Sequence, residues 1–343
     1  MIQFAVGYQL PENLDDSFVG LVRDYRDRVA EVYFPWGGDA SGRAALGRQR
    51  GLTDWTAQAR LEDDLRALRA LGIELDLLFN ANCYGAGAVS QALENHVGSV
   101  LAHLQEAVGG VDIVTTTSPM VAHVVRTWFP EIEIRASVNM RIGTIAAMQH
   151  LGEAFDSFYL QRDRQRDLAY VREVKAWCDG AGKKLCLLAN SGCLRHCPAQ
   201  TFHDNLVAHD AEVDERRNVT DWNAHLCRRL YADRANWPAL LQSTWIRPED
   251  THHYDGLCHV VKLATRMHQR PRMVLHAYCR DQYRGNLLDL LEPGHGPDFA
   301  PYALLNDRLP DDWFEQTSTC DGRCHACDYC EEALKQALVC GTP

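Results

Sequence analysis

Short apolar runs alternate along most of the chain with stretches in which leucine and valine recur at helical spacing. Runs rich in β-branched and aromatic residues predict buried strands, and a three-to-four-residue apolar repeat predicts an amphipathic helix. Strands are predicted at 3–7, 29–34, 74–79, 111–117, 132–138, 157–160, 184–190 and 259–264. Helical patterns lie between them at 18–25, 57–70, 89–106, 120–129, 144–151 and 167–182. This alternation predicts an α/β protein with a TIM-barrel-like (β/α)8 core.

Polar or small residues follow most of the predicted strands. In a parallel barrel the carboxyl ends of the strands form the active-site face, so these residues should converge on one mouth. They include Pro35, Asn80, Ser118, Asn139, Gln161, Arg162, Asn190, Ser191, Thr265 and Arg266.

The alternation breaks in two places. Between about 201 and 250 the sequence is charged, helix-like and rich in tryptophan, which predicts a helical insertion covering the mouth. Beyond residue 270 the chain is rich in proline, aspartate and cysteine. We therefore expect a barrel domain at 1–270 and a Cys-rich extension at 271–343 that packs on the barrel mouth.

Composition and charge narrow the class of protein. The chain has 343 residues, of which 46% are hydrophobic, and a formal net charge of −11. Because proteins that bind nucleic acid through its phosphates usually carry a basic surface, a small-molecule substrate is favoured over RNA or DNA. The first residues lack the order of a signal peptide, and no apolar run approaches the ~20 residues of a spanning helix. We expect a cytoplasmic protein without membrane contact, compatible with a homo-oligomer or a hetero-oligomer with a related chain.

Cysteine is the most informative residue type in the chain. Of 13 cysteines, four fall close together near the end, at Cys320, Cys324, Cys327 and Cys330. A further pair, Cys193 and Cys197, follows the seventh predicted strand in a glycine-containing turn. In a chain without signs of export, thiols at such gaps indicate metal ligation rather than disulfides.

Two arrangements of these six thiols are open. Cys193 and Cys197 could share a cluster with two tail cysteines, or the four tail cysteines could hold one metal and leave the first pair for a second site. Cys186 is a further candidate, although it lies in an apolar run. The remaining thiols are scattered singly and are interpreted as small apolar residues: Cys83, Cys178, Cys227, Cys258, Cys279 and Cys340.

Other side chains could serve a substrate. His203 follows the thiol pair, and Lys262 and Arg266 lie at the end of the last predicted strand, where cations could hold an anionic group. His252 and His253 are adjacent, so their side chains should diverge. Dinucleotide, Walker, nucleophile-elbow and His-Glu-x-x-His motifs are absent from the sequence.

Three segments resemble the collagenase-like peptidase family, peptidase U32. They are residues 28–37 (Arg-Val-Ala-Glu-Val-Tyr-Phe-Pro-Trp-Gly), 190–198 (Asn-Ser-Gly-Cys-Leu-Arg-His-Cys-Pro) and 261–266 (Val-Lys-Leu-Ala-Thr-Arg), followed by the cysteine-bearing tail. The resemblance implies a TIM-barrel-like core. Several family members hold a 4Fe-4S cluster through four cysteines and hydroxylate a quinone precursor ring or a pyrimidine in RNA without oxygen, with prephenate as the implied oxygen donor.

The chain departs from those hydroxylases at two points. Cys193 and Cys197 match the position of their cluster ligands, whereas the remaining ligands would have to come from the tail. Their last-strand motif usually reads Lys-Ile-Glu-Gly-Arg, and here Ala264 replaces the acidic residue.

Three functions follow as hypotheses. The first is a 4Fe-4S enzyme that performs oxygen-independent hydroxylation or related chemistry on a small anionic or aromatic substrate, with Lys262 and Arg266 holding its carboxylate. The second is a peptidase or other hydrolase in which the tail thiolates bind a structural zinc. The third is a non-catalytic electron-transfer or heterodimer partner.

Overall fold

Eight parallel strands close into a barrel in the computed structural model, which describes residues 1–10, 17–37, 39 and 54–341. Each strand pairs with the next along the chain, and the eighth pairs with the first. The strands are β1 Phe4–Gly7, β2 Val29–Pro35, β3 Glu74–Phe79, β4 Ile113–Thr116, β5 Glu133–Ala136, β6 Ser157–Tyr159, β7 Lys184–Leu188 and β8 Val260–Leu263. The predicted TIM-barrel-like core is confirmed.

Helices surround the barrel, and six of them follow the order that the apolar periodicity predicts. They are α1 Phe18–Asp24, α2 Trp55–Ala70, α3 Gln91–Val108, α4 Pro119–Trp128, α5 Ile145–Leu151 and α6 Leu168–Gly180. A further helix, α11 Pro271–Cys279, follows β8, where the sequence predicts the start of the extension and not another helix of the barrel. Side-chain oxygens cap the first turns of six of them, from Ser17, Asp54, Ser90, Ser118, Thr144 and Asp167. Such caps satisfy N–H groups that have no partner within the helix, which is why each helix begins where it does.

The apolar residues form two cores. The larger one lies between the strands and the helices, and includes the inward faces of α2, α3, α4 and α6. The smaller one fills the barrel and is capped near the mouth by Leu78 and Leu188; its other members are Ala5, Tyr33, Val138, Tyr159, Cys186 and Val260. Alternation along each strand sends successive side chains into one core and then the other.

The amino-terminal end of the barrel, which we call the floor, is closed by charged side chains. The fully buried Arg135 binds both oxygens of Glu31, at 2.5 and 3.0 Å, and donates to Glu133 at 2.7 Å. Lys184 Nζ lies 2.5 Å from the other oxygen of Glu133. Ser157 also joins this network.

The segment between β7 and β8 is largely helical, as predicted for the insertion. It contains α7 Gln200–Ala208, α8 Asp210–Arg216, α9 Leu226–Tyr231 and α10 Pro238–Gln242. Beyond α11 lie α12 Gly296–Phe299, β9 Tyr302–Leu304, α13 Trp313–Ser318, α14 Tyr329–Ala337 and β10 Leu338–Cys340. β9 and β10 form a separate antiparallel pair.

The extension packs on both the insertion and the mouth. Trp313 stacks on Trp245 with ring centroids 5.4 Å apart, and the guanidinium of Arg166 lies over both rings. Closer to the mouth, Asn190 donates to Leu290 O at 2.9 Å. In the part of the chain that the structure describes, no helix is both long and apolar enough to span a membrane.

Candidate functional site

A cleft opens at the carboxyl ends of the strands. It encloses about 590 Å³, counting space open to solvent. Of the ten residues predicted to converge there, five line it: Asn80, Asn139, Arg162, Ser191 and Arg266. Pro35, Ser118, Gln161, Asn190 and Thr265 are not part of the lining. The other lining residues are Tyr33, Leu78, Val138, Leu188, Lys262, Ala264, Met267 and Glu292.

Lys262 lies on β8 and reaches the cleft from inside the barrel. Its Nζ stands 3.6 Å from the centre of the Tyr33 ring. Burial lowers the pKa of Lys262 to about 8, although Asp76 acts in the opposite direction. A lysine with such a pKa can hold an anion when charged and can exchange a proton near neutral pH.

Two arginines add positive charge to the cleft. Arg162 follows β6 and donates to Ser191 Oγ at 3.2 Å. Burial opposes its charge, yet the neighbouring Cys193 and acidic groups raise the pKa of Arg162. Arg266 packs so closely on β1 that a Cβ at Gly7 would lie 2.7 Å from its backbone nitrogen, so glycine is required there.

The cleft therefore carries more positive than negative charge. Its lining contains three cations, Arg162, Lys262 and Arg266, and one carboxylate, Glu292. Guanidinium groups bind carboxylates with two parallel hydrogen bonds, and a buried ammonium attracts the same groups. A small anion is the ligand that this charge distribution fits.

The loop after β7 is held rigidly at the cleft wall. The side chain of Asn190 accepts from Ala264 N at 2.6 Å and donates to Leu290 O, which joins β7, β8 and the extension. A Cβ at Gly192 would lie 2.2 Å from Pro293 O, so this close approach excludes any side chain. His295 Nε2 lies 3.0 Å from Gly192 O. This packing fixes the position of the next residue, Cys193.

Cys193, Cys197 and Cys227 form a group that we call the thiol trio. The turn between the first two has His196 in the left-handed conformation (φ 53°), and His196 N donates to Asp163 at 2.8 Å. Burial raises the pKa of Cys227 to about 11, and the nearby Cys193 adds to the increase. Burial and Cys193 also raise the pKa of Cys197.

The four tail cysteines form a second group. Burial raises the pKa of Cys330 to about 11 against the effect of Arg166, and Cys320, Cys324 and Cys327 raise it further. A Cβ at Gly322 would lie 3.5 Å from the guanidinium of Arg195, so the tail meets the thiol loop through this side chain.

The spacing of the sulfurs bears on the metal that they could hold. Among the described residues, no three cysteine sulfurs lie within 4.8 Å of one another. Zinc bound to thiolates at about 2.3 Å brings its sulfurs to about 3.8 Å in a tetrahedron. A cluster of several irons needs its thiolates farther apart than one ion does. The described sulfurs are therefore not arranged as a ready-made tetrahedral zinc site.

Other predicted site residues lie elsewhere. His203 on α7 contacts the ring of His225, with centroids 4.6 Å apart, and does not line the cleft. Cys186 faces the interior of the barrel, where burial raises its pKa strongly. The expectation that His252 and His253 diverge is wrong, because their ring centroids lie 3.8 Å apart. Stacking of His253 on Phe314 at 3.6 Å turns its ring to that side.

Two residues of the site have no signal in the sequence. Cys227 was interpreted as an isolated apolar residue because it lies 30 positions after Cys197, yet α9 carries it to the thiol trio. Glu292 reaches the cleft from the extension through a parallel bridge with Ser191. Long-range packing places both residues, and spacing along the chain does not show it.

Comparison with known proteins shows a likeness to a curated protein and to a solved structure. No family profile matches the chain. The chain is 23% identical over 275 residues to a Methanocaldococcus jannaschii protein described as uncharacterized protease MJ1657. The alignment covers 78% of this chain and 77% of the relative. The solved structure of the U32 peptidase Mk0906 aligns with a TM-score of 0.53 at 16% identity over 76% of this chain and 92% of that one. The structural likeness supports the barrel fold.

Proposed function

We propose that this chain is an enzyme of the U32 peptidase family that binds a small carboxylate in the mouth cleft, beside an iron–sulfur cluster held by the thiol trio. One observation carries the proposal: Arg162 lines the cationic cleft and also interacts with Cys193. A substrate bound to Arg162 would thus lie next to the thiolates.

Two of the segments that resemble the U32 family lie together at the cleft. Residues 190–198 and 261–266 run along adjacent walls of the cleft, because Asn190 bonds to Ala264. The relative from Methanocaldococcus jannaschii and the structure of Mk0906 point to the same family.

The charge and the shape of the cleft favour a small carboxylate as its substrate. Lys262 at the base of the cleft and Arg266 at its edge would bind one carboxylate, while Arg162 would orient a second oxygen-bearing group towards the thiol trio. Tyr33 offers an aromatic face below Lys262, which suits a small ring as well as a plain acid. The replacement of the family's acidic residue by Ala264 removes one negative charge from this wall.

The cluster part draws on the thiol trio. Three thiolates would leave one iron without a protein thiolate, and a bound cluster would supply electron-transfer and Lewis-acid chemistry at that position. Arg162 would offset the negative charge of the thiolates. Lys262 would give or accept a proton near neutral pH. The reaction class that we infer from the resemblance is oxygen-independent hydroxylation.

Metal and sulfide analysis of protein purified without oxygen tests this proposal. We expect about four irons and four sulfides per chain and a broad absorbance band near ~400 nm that bleaches on reduction. Cys193→Ser and Cys227→Ser should each lose most of the iron. The matched variants Cys324→Ser and Cys327→Ser should keep it, since the tail forms a separate group. Iron that stays complete in Cys193→Ser and Cys227→Ser would refute the assignment of ligands.

A second candidate function is favoured by the grouping of the tail cysteines. The four tail thiols could converge on a structural zinc that fixes α14, with a hydrolase site elsewhere. One zinc per chain without sulfide, lost in Cys324→Ser and kept in Cys193→Ser, would support this function over the first.

A further inference from the structure

Cys83 lies outside both thiol groups, in a cluster with His209 and Glu212. It belongs to the loop after β3, where its half-buried sulfur accepts a hydrogen bond from Gly85 N at 3.3 Å. His209 stands at the junction of α7 and α8 beside the same turn, since a Cβ at Gly85 would lie 3.6 Å from its Cε1, and it hydrogen-bonds the thiol. Nδ1 of His209 lies 3.6 Å from Glu212 Oε1.

The thiol and the imidazole favour each other's charged forms. The hydrogen bond from His209, assisted by the Gly85 N–H, lowers the pKa of Cys83. The same contact with Cys83 raises the pKa of His209 against the effect of burial, and Glu212 adds to the increase. A thiolate beside an imidazolium is the arrangement of cysteine nucleophiles.

Neighbouring contacts hold this loop in place. Asn82 Nδ2 donates to Asp204 on α7 at 2.9 Å, and Tyr84 OH donates to Phe79 O at 2.6 Å. The residues on both sides of Cys83 are therefore anchored, and one anchor lies on the helix that leads to His209. The thiol and the imidazole are thus positioned by the same packing.

Cys83 differs from the buried thiols of the chain. Burial raises the pKa of Cys178, Cys258 and Cys279, which lack an imidazole partner of this kind. Cys83 instead has a cationic partner and partial access to solvent. These differences make it chemically distinct within the same protein.

We propose that Cys83 is a nucleophile that accepts the acyl group of a small activated ester or thioester, with His209 as its acid–base partner. The Cys83 thiolate attacks the carbonyl carbon, forming an S–C bond. The bond from that carbon to the leaving oxygen or sulfur breaks, and the leaving group takes a proton from His209. Water then releases the acid and restores the thiol, so no oxidant or reductant is needed. This activity is separate from the mouth cleft.

The test uses p-nitrophenyl acetate and iodoacetamide on the full-length protein, with the modified peptide identified by mass spectrometry. We expect a burst of p-nitrophenol with acetylation at Cys83. Cys83 should also alkylate roughly three- to tenfold faster at pH 7 than the exposed Cys340. Cys83→Ser should abolish the burst, and Cys340→Ser should leave it unchanged.

His209→Gln separates a chemical role from a structural one. It should move the midpoint of the alkylation pH profile of Cys83 upwards and slow alkylation at pH 7 while leaving its rate above pH ~9 unchanged, because the thiol ionises there without help. Equal reactivity of Cys83 and Cys340, or an unchanged pH profile in His209→Gln, would overturn the proposal. Loss of metal from Cys83→Ser would also overturn it, by making Cys83 a ligand.

Discussion

The two ends of the barrel hold charged side chains in opposite ways. At the floor, Arg135 is shared between Glu31 and Glu133, and Lys184 completes the pairing. At the mouth, three cations line the cleft with the single carboxylate of Glu292. The charged groups of the floor are buried against one another, whereas those of the mouth line a cleft that a ligand could enter.

This difference separates residues that serve the fold from residues available for function. Breaking a buried ion pair leaves an uncompensated charge, so the floor network should be essential to stability. Charged side chains that line a cleft cost solvation free energy. Their presence at the carboxyl ends of the strands is consistent with a binding site there.

Removing Arg135 should have the largest effect. Arg135→Met leaves Glu31 buried without its cation, so the free energy of unfolding should fall by about 3–5 kcal/mol. Chemical denaturation at pH 7 measures this. The control is Arg126→Met, which breaks a half-exposed pair with Asp156 and should cost about 1 kcal/mol or less. Equal losses of unfolding free energy in the two variants would show that the buried floor network stabilises the fold no more than a half-exposed ion pair does.

The stabilisation that Glu133 contributes to the fold should depend on pH. Burial alone would raise its pKa, but Arg135, Lys184 and Ser157 lower it to about 2. Because this folded-state pKa lies below the unfolded value, the stabilisation is complete above pH about 4.5 and is lost as the pH falls towards 2. Glu133→Gln should therefore lose about 2–3 kcal/mol at pH 7. The gap to the wild type should narrow when denaturation is repeated between pH 4.5 and 3, and a constant gap would contradict this account.

Lys262→Met is the counterpart of Arg135→Met at the other end, and its effect on stability should be the smallest. Burial lowers the pKa of Lys262 to about 8. At pH 7 the lysine is charged, and keeping that charge in the buried site costs the folded state free energy. The free energy of unfolding at pH 7 should rise or change by less than about 1 kcal/mol. A loss as large as that of Arg135→Met would mean that Lys262 serves the fold.

Much of the barrel was predictable because its signals are local. Apolar runs such as 74–79 and 184–190 and the helical repeats between them predict elements that the structure confirms to within a few residues. The convergence of Asn80, Arg162 and Arg266 was predictable too, because barrel geometry places every strand end at one mouth.

The thiol trio and the Cys83 cluster were not predictable in this way. Cys227 and His209 lie in the insertion, whose path over the barrel depends on packing between distant segments. Lone cysteines carry no spacing signal, so Cys83 and Cys227 were both interpreted as apolar residues. The dense tail motif carries the stronger spacing signal for metal ligands, although Cys193 lies closer to the cationic cleft.

Binding of a small carboxylate tests the comparison between the two ends most directly. Succinate titrated into the protein by isothermal calorimetry should bind saturably to the wild type and at least about tenfold more weakly to Arg266→Met, since a charged hydrogen bond is lost. Arg270→Met should bind like the wild type, because Arg270 pairs with Asp289 at an exposed site outside the cleft lining. Absence of binding by the wild type, or equal binding by Arg266→Met, would contradict the account of the mouth as an anion site.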